Sequence, residues 1–175
     1  MNLTSDLMLK AISELDKQLT SRISLIMGGG GALILAHKIT LATTDIDAIP
    51  RGASLESIDP AIKKVAEILN IPGDWLNPYF KTFAHVLPAD YEKRLVNVFQ
   101  GKNLSVDALG KEEMLIMKCY AGRAKDRGHA VSLLRCGTDV KFVESHINVL
   151  LEKRIPKSQE ALDFLDEVLE IANPR

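Results

Sequence analysis

Ile23-Ser24-Leu25-Ile26-Met27-Gly28-Gly29-Gly30-Gly31, followed after the apolar run Ala32 to Ala36 by Thr44-Asp45-Ile46-Asp47-Ala48-Ile49, is the stretch on which the fold turns. Its first five residues are apolar enough to form a buried strand. The four glycines that follow are costly in chain entropy, so they mark a place where the backbone takes positive φ or is approached closely. The run leads toward a helix expected from about Ala32, whose first amides and dipole favour an anion, with phosphate the commonest visitor. An ordinary strand-to-helix turn without a ligand accounts for the glycines equally well. Two familiar glycine motifs are excluded. A dinucleotide-binding fingerprint starting at Gly28 requires glycine where Leu33 stands, and a P-loop requires Gly-Lys followed by Ser or Thr.

The second half of the stretch adds chemistry. If residues 44–49 form a strand, Asp45 and Asp47 share one face while Ile46 and Ala48 point into the core. Two carboxylates so placed can share one or two divalent ions, and hard cations such as magnesium take oxygen ligands completed by water and phosphate. The competing reading is a solvated strand edge, since alternation of polar and apolar residues is what any half-exposed strand shows.

Composition sets the frame around this block. The 175 residues are 46% hydrophobic, enough to bury a core without disulfides or a structural metal. The net charge of -1 gives no overall pull toward nucleic acid or membrane. Cys119 and Cys136 are too far apart for a CxxC motif and lie beside apolar residues, so both are expected to be reduced core thiols. Residues 1–10 lack the basic flank and long apolar stretch of a signal peptide, and no later run approaches a membrane span, which points to the cytoplasm.

Working outward, Thr4 or Ser5 can cap a helix carrying Leu7, Met8, Ile12, Leu15 and Leu19 and ending near Thr20. Pro50, Gly52 and Ser54 suggest a loop, and Asp59-Pro60 starts a helix with Ile62, Val65, Ala66 and Leu69 on one face. From Ile71 to Pro88, prolines and aromatics suggest a packed connector with a short helix near Asn77. Residues 94–99 and 104–109 suit a hairpin turning at Gly101 to Asn103. Beyond Lys111 the pattern is helical, with breaks at Arg123 to Gly128, Gly137 and Pro156, giving about four helices. The expected class is α+β: a small mixed sheet flanked by helices over residues 1–110, with a helical part over 111–175 packed on it as one unit.

An apolar strand, Gly-Gly, a short helix and then Asp-x-Asp on the next strand resembles the polymerase-β-type nucleotidyltransferase superfamily. The resemblance implies that Gly28, Gly29 and Gly30, with Thr44, hold the phosphates of a nucleoside triphosphate. It also implies that Asp45 and Asp47 bind Mg2+, with a third carboxylate supplied by a later strand, for which Asp107 is the acid on the hairpin. Further along, Leu87-Pro88-Ala89-Asp90-Tyr91-Glu92-Lys93-Arg94-Leu95, the run Leu109 to Lys118 and the run Ala121 to Arg127 resemble a narrower branch, the small bacterial proteins related to AbiEii-type toxins of toxin-antitoxin systems. The likeness covers most of residues 23–135. It implies that Lys118 and Asp126 face the nucleotide site and support triphosphate binding or transfer. Read from the residues alone, Lys118 on an apolar helix either finds a partner or snorkels to water, and Asp126 either pairs with arginine or caps a helix. Where the branch usually carries a second acid after Asp126, this chain has His129.

The function implied is Mg2+-dependent transfer of a nucleoside monophosphate to a hydroxyl on tRNA or a partner protein, as a toxin-antitoxin component. The alternative is a catalytically degenerate binding module, an antitoxin or regulatory subunit, suggested by His129 and by the weakly supported third carboxylate. A weaker third possibility is RNA contact through Lys93, Arg94, Lys102, Lys111, Arg123, Lys125 and Arg127. His37, His85 and His146 stand singly and suit packing or surface roles.

Overall fold

Thr4 caps the first helix as expected: its hydroxyl accepts from Leu7 N at 3.2 Å, and α1 runs Ser5–Gln18 with Met8, Ala11, Ile12 and Leu15 buried. The computed structural model describes residues 1–52 and 54–173. The chain divides into two compact units, Met1–Thr82 with Leu95–Leu109, and Phe83–Arg94 with the chain from Gly110 onward.

In the first unit, β1 (Ile23–Met27) leads through Gly28 into α2 (Gly29–Leu35), and β2 (Ile46–Pro50) follows. The helix thus begins within the glycines, ahead of the expected Ala32, and is a short one. The next strand also starts later than expected. Thr44 and Asp45 lie in a bend before it, so Asp45 precedes the strand that carries Asp47. The inward assignment of Ile46 and Ala48 holds, both being fully buried. A 3-10 turn, Leu55–Ile58, precedes α3 (Asp59–Leu69), which carries Pro60 in its first turn and buries Ile62, Val65 and Ala66 while packing against α1.

Asn77 itself ends a strand, β3 (Leu76–Asn77), and the short helix expected near it begins two residues later as a 3-10 segment, Tyr79–Val86. The reason is local: Pro78 disfavours the helical region for the residue before it. Trp75, fully buried, fixes this connector by donating its indole N–H to Ile62 O at 3.1 Å and accepting Ile46 N–H at its own carbonyl at 2.6 Å. The hairpin is β4 (Val96–Gln100) and β5 (Leu104–Ala108), with a bulge between Asn97 and Phe99 that interrupts the simple alternation. Asp16 of α1 anchors its turn by accepting the N–H groups of Lys102, Asn103 and Leu104.

Among the described residues the sheet has five strands in the order β3-β2-β1-β5-β4, with β1 antiparallel to β2 and parallel to β5. It is a mixed sheet in an α+β fold, as expected. Register decides what shares a face. Ile26 is opposite both Ile49 and Asp107, and Asp47 is opposite Asn77. Strand partners project to the same side, as do residues two apart, so Asp47, Asn77 and Asp107 share one face. Leu25, Met27, Ala48, Val106 and Ala108 lie on the other, buried one.

The second unit contains α4 (Lys111–Ala121), α5 (Ala124–Arg135), α6 (Val140–Glu152) and α7 (Ser158–Ala172), matching the expected helices. The break before α5 is narrower than expected, since Gly128 lies inside that helix. Tyr120 and Ser158 join α4 to α7 through a buried hydroxyl pair at 2.6 Å. Cys119 is buried on α4, where burial pushes its thiol pKa up to about 12. Cys136 corrects the expectation of two core thiols: it is exposed at the end of α5, where the chain turns through Gly137. Among the described residues no helix is long and apolar enough to cross a membrane.

Candidate nucleotide and metal site

The glycine turn is crowded by side chains of its own unit. A Cβ on Gly28 would lie 2.9 Å from the Phe80 ring, and one on Gly30 would lie 2.7 Å from Thr43 Oγ1. Gly29 has φ +58°, in the left-handed region, and a Cβ there would overlap the Asp47 carboxylate. A Cβ at Gly28, Gly29 or Gly30 would therefore displace a neighbouring side chain, whatever the turn binds. What is informative is the chemistry of the group pressed against Gly29: it is a carboxylate.

Asp47 reaches that position because its backbone is locked to the turn. Gly28 N–H donates to Asp47 O at 2.8 Å, extending the ladder between β1 and β2 past the last strand pair. Asp45, in the bend, has neutral company. Its Oδ2 accepts from Asn77 Nδ2 at 3.2 Å, and Thr43 Oγ1 donates to its backbone carbonyl at 3.1 Å and approaches Oδ1 at 3.4 Å. Because Thr43 touches Asp45 and crowds Gly30, while Asp47 crowds Gly29, both aspartates lie at one corner with the glycine turn. Thr44 is exposed, and it is the hydroxyl of Thr43 beside it that faces this corner.

Asp107 lies on the same face of the sheet but is engaged elsewhere. Its Oδ1 accepts from Asn97 Nδ2 at 2.9 Å, and its Oδ2 is 3.7 Å from Arg51 Nη1. Among the described residues no three His, Cys, Asp or Glu side chains gather into a cluster that could hold a metal ion. The oxygen-only donors of Asp45 and Asp47 fit a hard cation that fills its remaining positions with water and phosphate.

Lys118 and Asp126 belong to the helical unit and are partners of each other, with Nζ to Oδ1 at 2.7 Å. Arg123 adds a fork, Nε to Oδ2 at 2.6 Å and Nη2 to Oδ1 at 3.2 Å. Asp126 is completely buried. Burial pushes its carboxyl up, but His129, the Arg123 guanidinium and the Lys118 ammonium outweigh this and hold it well below the usual carboxylate range. His129 Nδ1, buried and without a hydrogen-bond partner, stands 3.8 Å from Asp126 Oδ1, a distance at which it acts through charge when protonated.

Several of the basic residues considered for RNA contact are committed within the helical unit. Arg94 bonds Asp90 and the buried Glu113 and lies 4.8 Å over the Phe142 ring. Lys111 donates to the carbonyls of Cys136 and Gly137, and Arg127 pairs with Glu167 at 2.6 Å. His37 and His146 place Nε2 2.8 Å from the carbonyls of Leu109 and Val86, respectively, which are packing roles.

Sequence reasoning missed Asn77, Thr43, Asn97 and Arg51. For Asn77 a signal existed, since a residue before proline is extended and can add to a sheet. The other three have no local pattern that marks them, because their partners are set by strand register and loop path.

No curated protein and no solved structure matches the chain. A family model, described as a nucleotidyltransferase of unknown function (DUF6036), matches residues 7–161, a span that includes the glycine turn, both aspartates of β2 and its approach, and the first three helices of the second unit. The chain belongs to this family of nucleotidyltransferases of unknown function.

Proposed function

We propose that the protein is a Mg2+-dependent nucleotidyltransferase that moves a nucleoside monophosphate from a nucleoside triphosphate to an acceptor hydroxyl on tRNA or a protein. It would act in the cytoplasm as a toxin-antitoxin component of the AbiEii-like branch. The observation that carries this reading is the Asp47 carboxylate pressed on Gly29, with Asp45 held beside it by neutral donors. In such a reaction the acceptor oxygen attacks the α-phosphorus, pyrophosphate leaves, and the hydroxyl proton passes to solvent or a nearby base. Bound magnesium supplies neutralisation of triphosphate charge. The chain's own contribution is to hold Asp45 and Asp47 at one corner and to present the Gly28 to Gly30 backbone closely enough for phosphate oxygens; Asp107, on the same face of the sheet, would have to leave Asn97 and Arg51 to act as the third carboxylate. Incubation with labelled nucleoside triphosphates, Mg2+ and total tRNA or cell lysate tests it. Transfer should fall by roughly a thousandfold in the Asp45→Ala, Asp47→Ala double variant, the several kcal/mol that metal-assisted charge stabilisation contributes. Labelling equal to wild type would refute the proposal.

One observation favours a second reading, a non-catalytic binding module: Asp107 is occupied by Asn97 and Arg51. Calorimetry separates the two. Tight binding of a partner protein without any Mg2+-dependent nucleotide binding supports the module, whereas nucleotide binding abolished by Asp47→Ala supports the enzyme.

A further inference from the structure

We infer that Asn77 is the positioning residue of the Asp45 carboxylate, an inference that rests on reading the Asp45 and Asp47 corner as a divalent-cation site. Asp45 needs such a residue because it lies in the bend before β2, where no ladder hydrogen bonds restrain it. Asn77 is well placed to supply the restraint. It ends β3 with its Cα opposite Asp47, so its side chain projects to the face that Asp47 occupies. Its Nδ2 donates to Asp45 Oδ2 at 3.2 Å.

The orientation of the Asn77 amide is determined by its other end. Oδ1 lies 3.0 Å from Tyr79 N, and a backbone N–H can only donate, so the oxygen must face Tyr79 and the NH2 must face Asp45. Tyr79 N–H can be offered in this way because it lies in the first turn of a 3-10 segment, just past Pro78. The connector therefore delivers one neutral, directed donor to one oxygen of Asp45. A lysine or arginine in its place would neutralise the carboxylate that the cation needs. An aspartate would keep the acceptor for Tyr79 N–H but would place a like charge beside Asp45. Asparagine alone among these orients the carboxylate and leaves its charge available.

The test is a double-mutant cycle read by Mn2+ binding to the full chain, followed by water-proton relaxation, with circular dichroism to verify folding. Asn77→Ala should weaken Mn2+ binding roughly tenfold, the usual lower bound for a group that orients a metal ligand. In the Asp45→Ala background the same substitution should change nothing, because the carboxylate it orients is gone. An equal loss in both backgrounds, or no loss in either, overturns the inference while leaving the metal reading intact. Wild-type chain that binds no Mn2+ overturns both. If Asn77→Ala does not fold, Asn77→Asp retains the Tyr79 contact and enters the same cycle. Its effect on Mn2+ binding must then differ between the two backgrounds, and an identical effect overturns the inference.

Discussion

Two carboxylate-centred clusters can be compared, each within its own unit. Asp126 in the helical unit is met by Lys118 and Arg123, is completely buried, and has both oxygens satisfied by cations. Asp45 in the sheet unit is met by the Asn77 amide and the Thr43 hydroxyl, and it is only partly buried. Both are held in place by hydrogen bonds, yet only at Asp126 do the partners cancel the charge. A carboxylate neutralised inside the fold adds to stability or specificity, because its charge is spent on its own chain. A carboxylate oriented by neutral donors keeps its charge for something that arrives. The contrast supports the cation binding proposed for the glycine corner, while the Asp126 charge is met by Lys118 and Arg123 within its own unit.

The largest expected effect separates the two directly. Asp126→Ala strands the Lys118 ammonium, which is nearly buried, and should cost about 3–5 kcal/mol in urea unfolding, the penalty for removing one partner of a buried pair. Asp45→Ala should leave the urea midpoint close to wild type. Similar losses at both sites would break the contrast. A Lys118→Met variant that folds but loses nucleotide binding would give Lys118 the triphosphate role that the family resemblance implies.

Gly29→Ala should cost about 1–3 kcal/mol, because alanine is strained at φ +58°. Its Cβ would also displace the Asp47 carboxylate, so Mn2+ affinity should fall further than stability. Unchanged Mn2+ binding in a destabilised variant would show that the Asp47 contact is packing alone.

Acid provides a graded effect. The folded-state pKa of Asp126 lies below its unfolded value, so its contribution is fully present above the ordinary 3.8 and is lost as pH falls from there toward the depressed folded value. Stability should decline through this window, and Asp126→Asn should flatten the decline. Asp16 contributes in the same direction: burial raises its carboxyl, but the backbone donors of Asn103, Lys102 and Leu104 hold it below the usual range. An unaltered slope in Asp126→Asn would place the acid sensitivity at Asp16 and the other lowered carboxyls.

The smallest effect concerns the thiols. In folded protein near pH 8, Cys136 should react with a thiol reagent while Cys119, with its pKa pushed up to about 12, should not, and both should react in denaturant. Rapid labelling of both thiols in the native state would show that α4 opens readily.

Much of the fold was legible locally. β1 ends where the glycines begin, α1 begins at its Thr4 cap, and α4 to α7 follow the helical period of the tail, since these depend on short-range pattern and capping chemistry. The inward direction of Ile46 and Ala48, and with it the outward direction of Asp47, followed from alternation alone. Other features depended on partners distant in sequence. Nothing near Gly29 in the chain reveals that Asp47 presses on it, nothing near Asp45 names Asn77, and Asp107 meets Arg51 only because β5 runs beside β1 in one particular register. Likewise, a lysine on an apolar helix called for a partner, but only the turn at Gly122 and Arg123 brings Asp126 to Lys118. The sequence by itself determined which residues could carry charge and where the backbone was free to take positive φ, because those follow from residue chemistry. Tertiary structure decided which charges are cancelled and which are kept, because that depends on long-range register and burial.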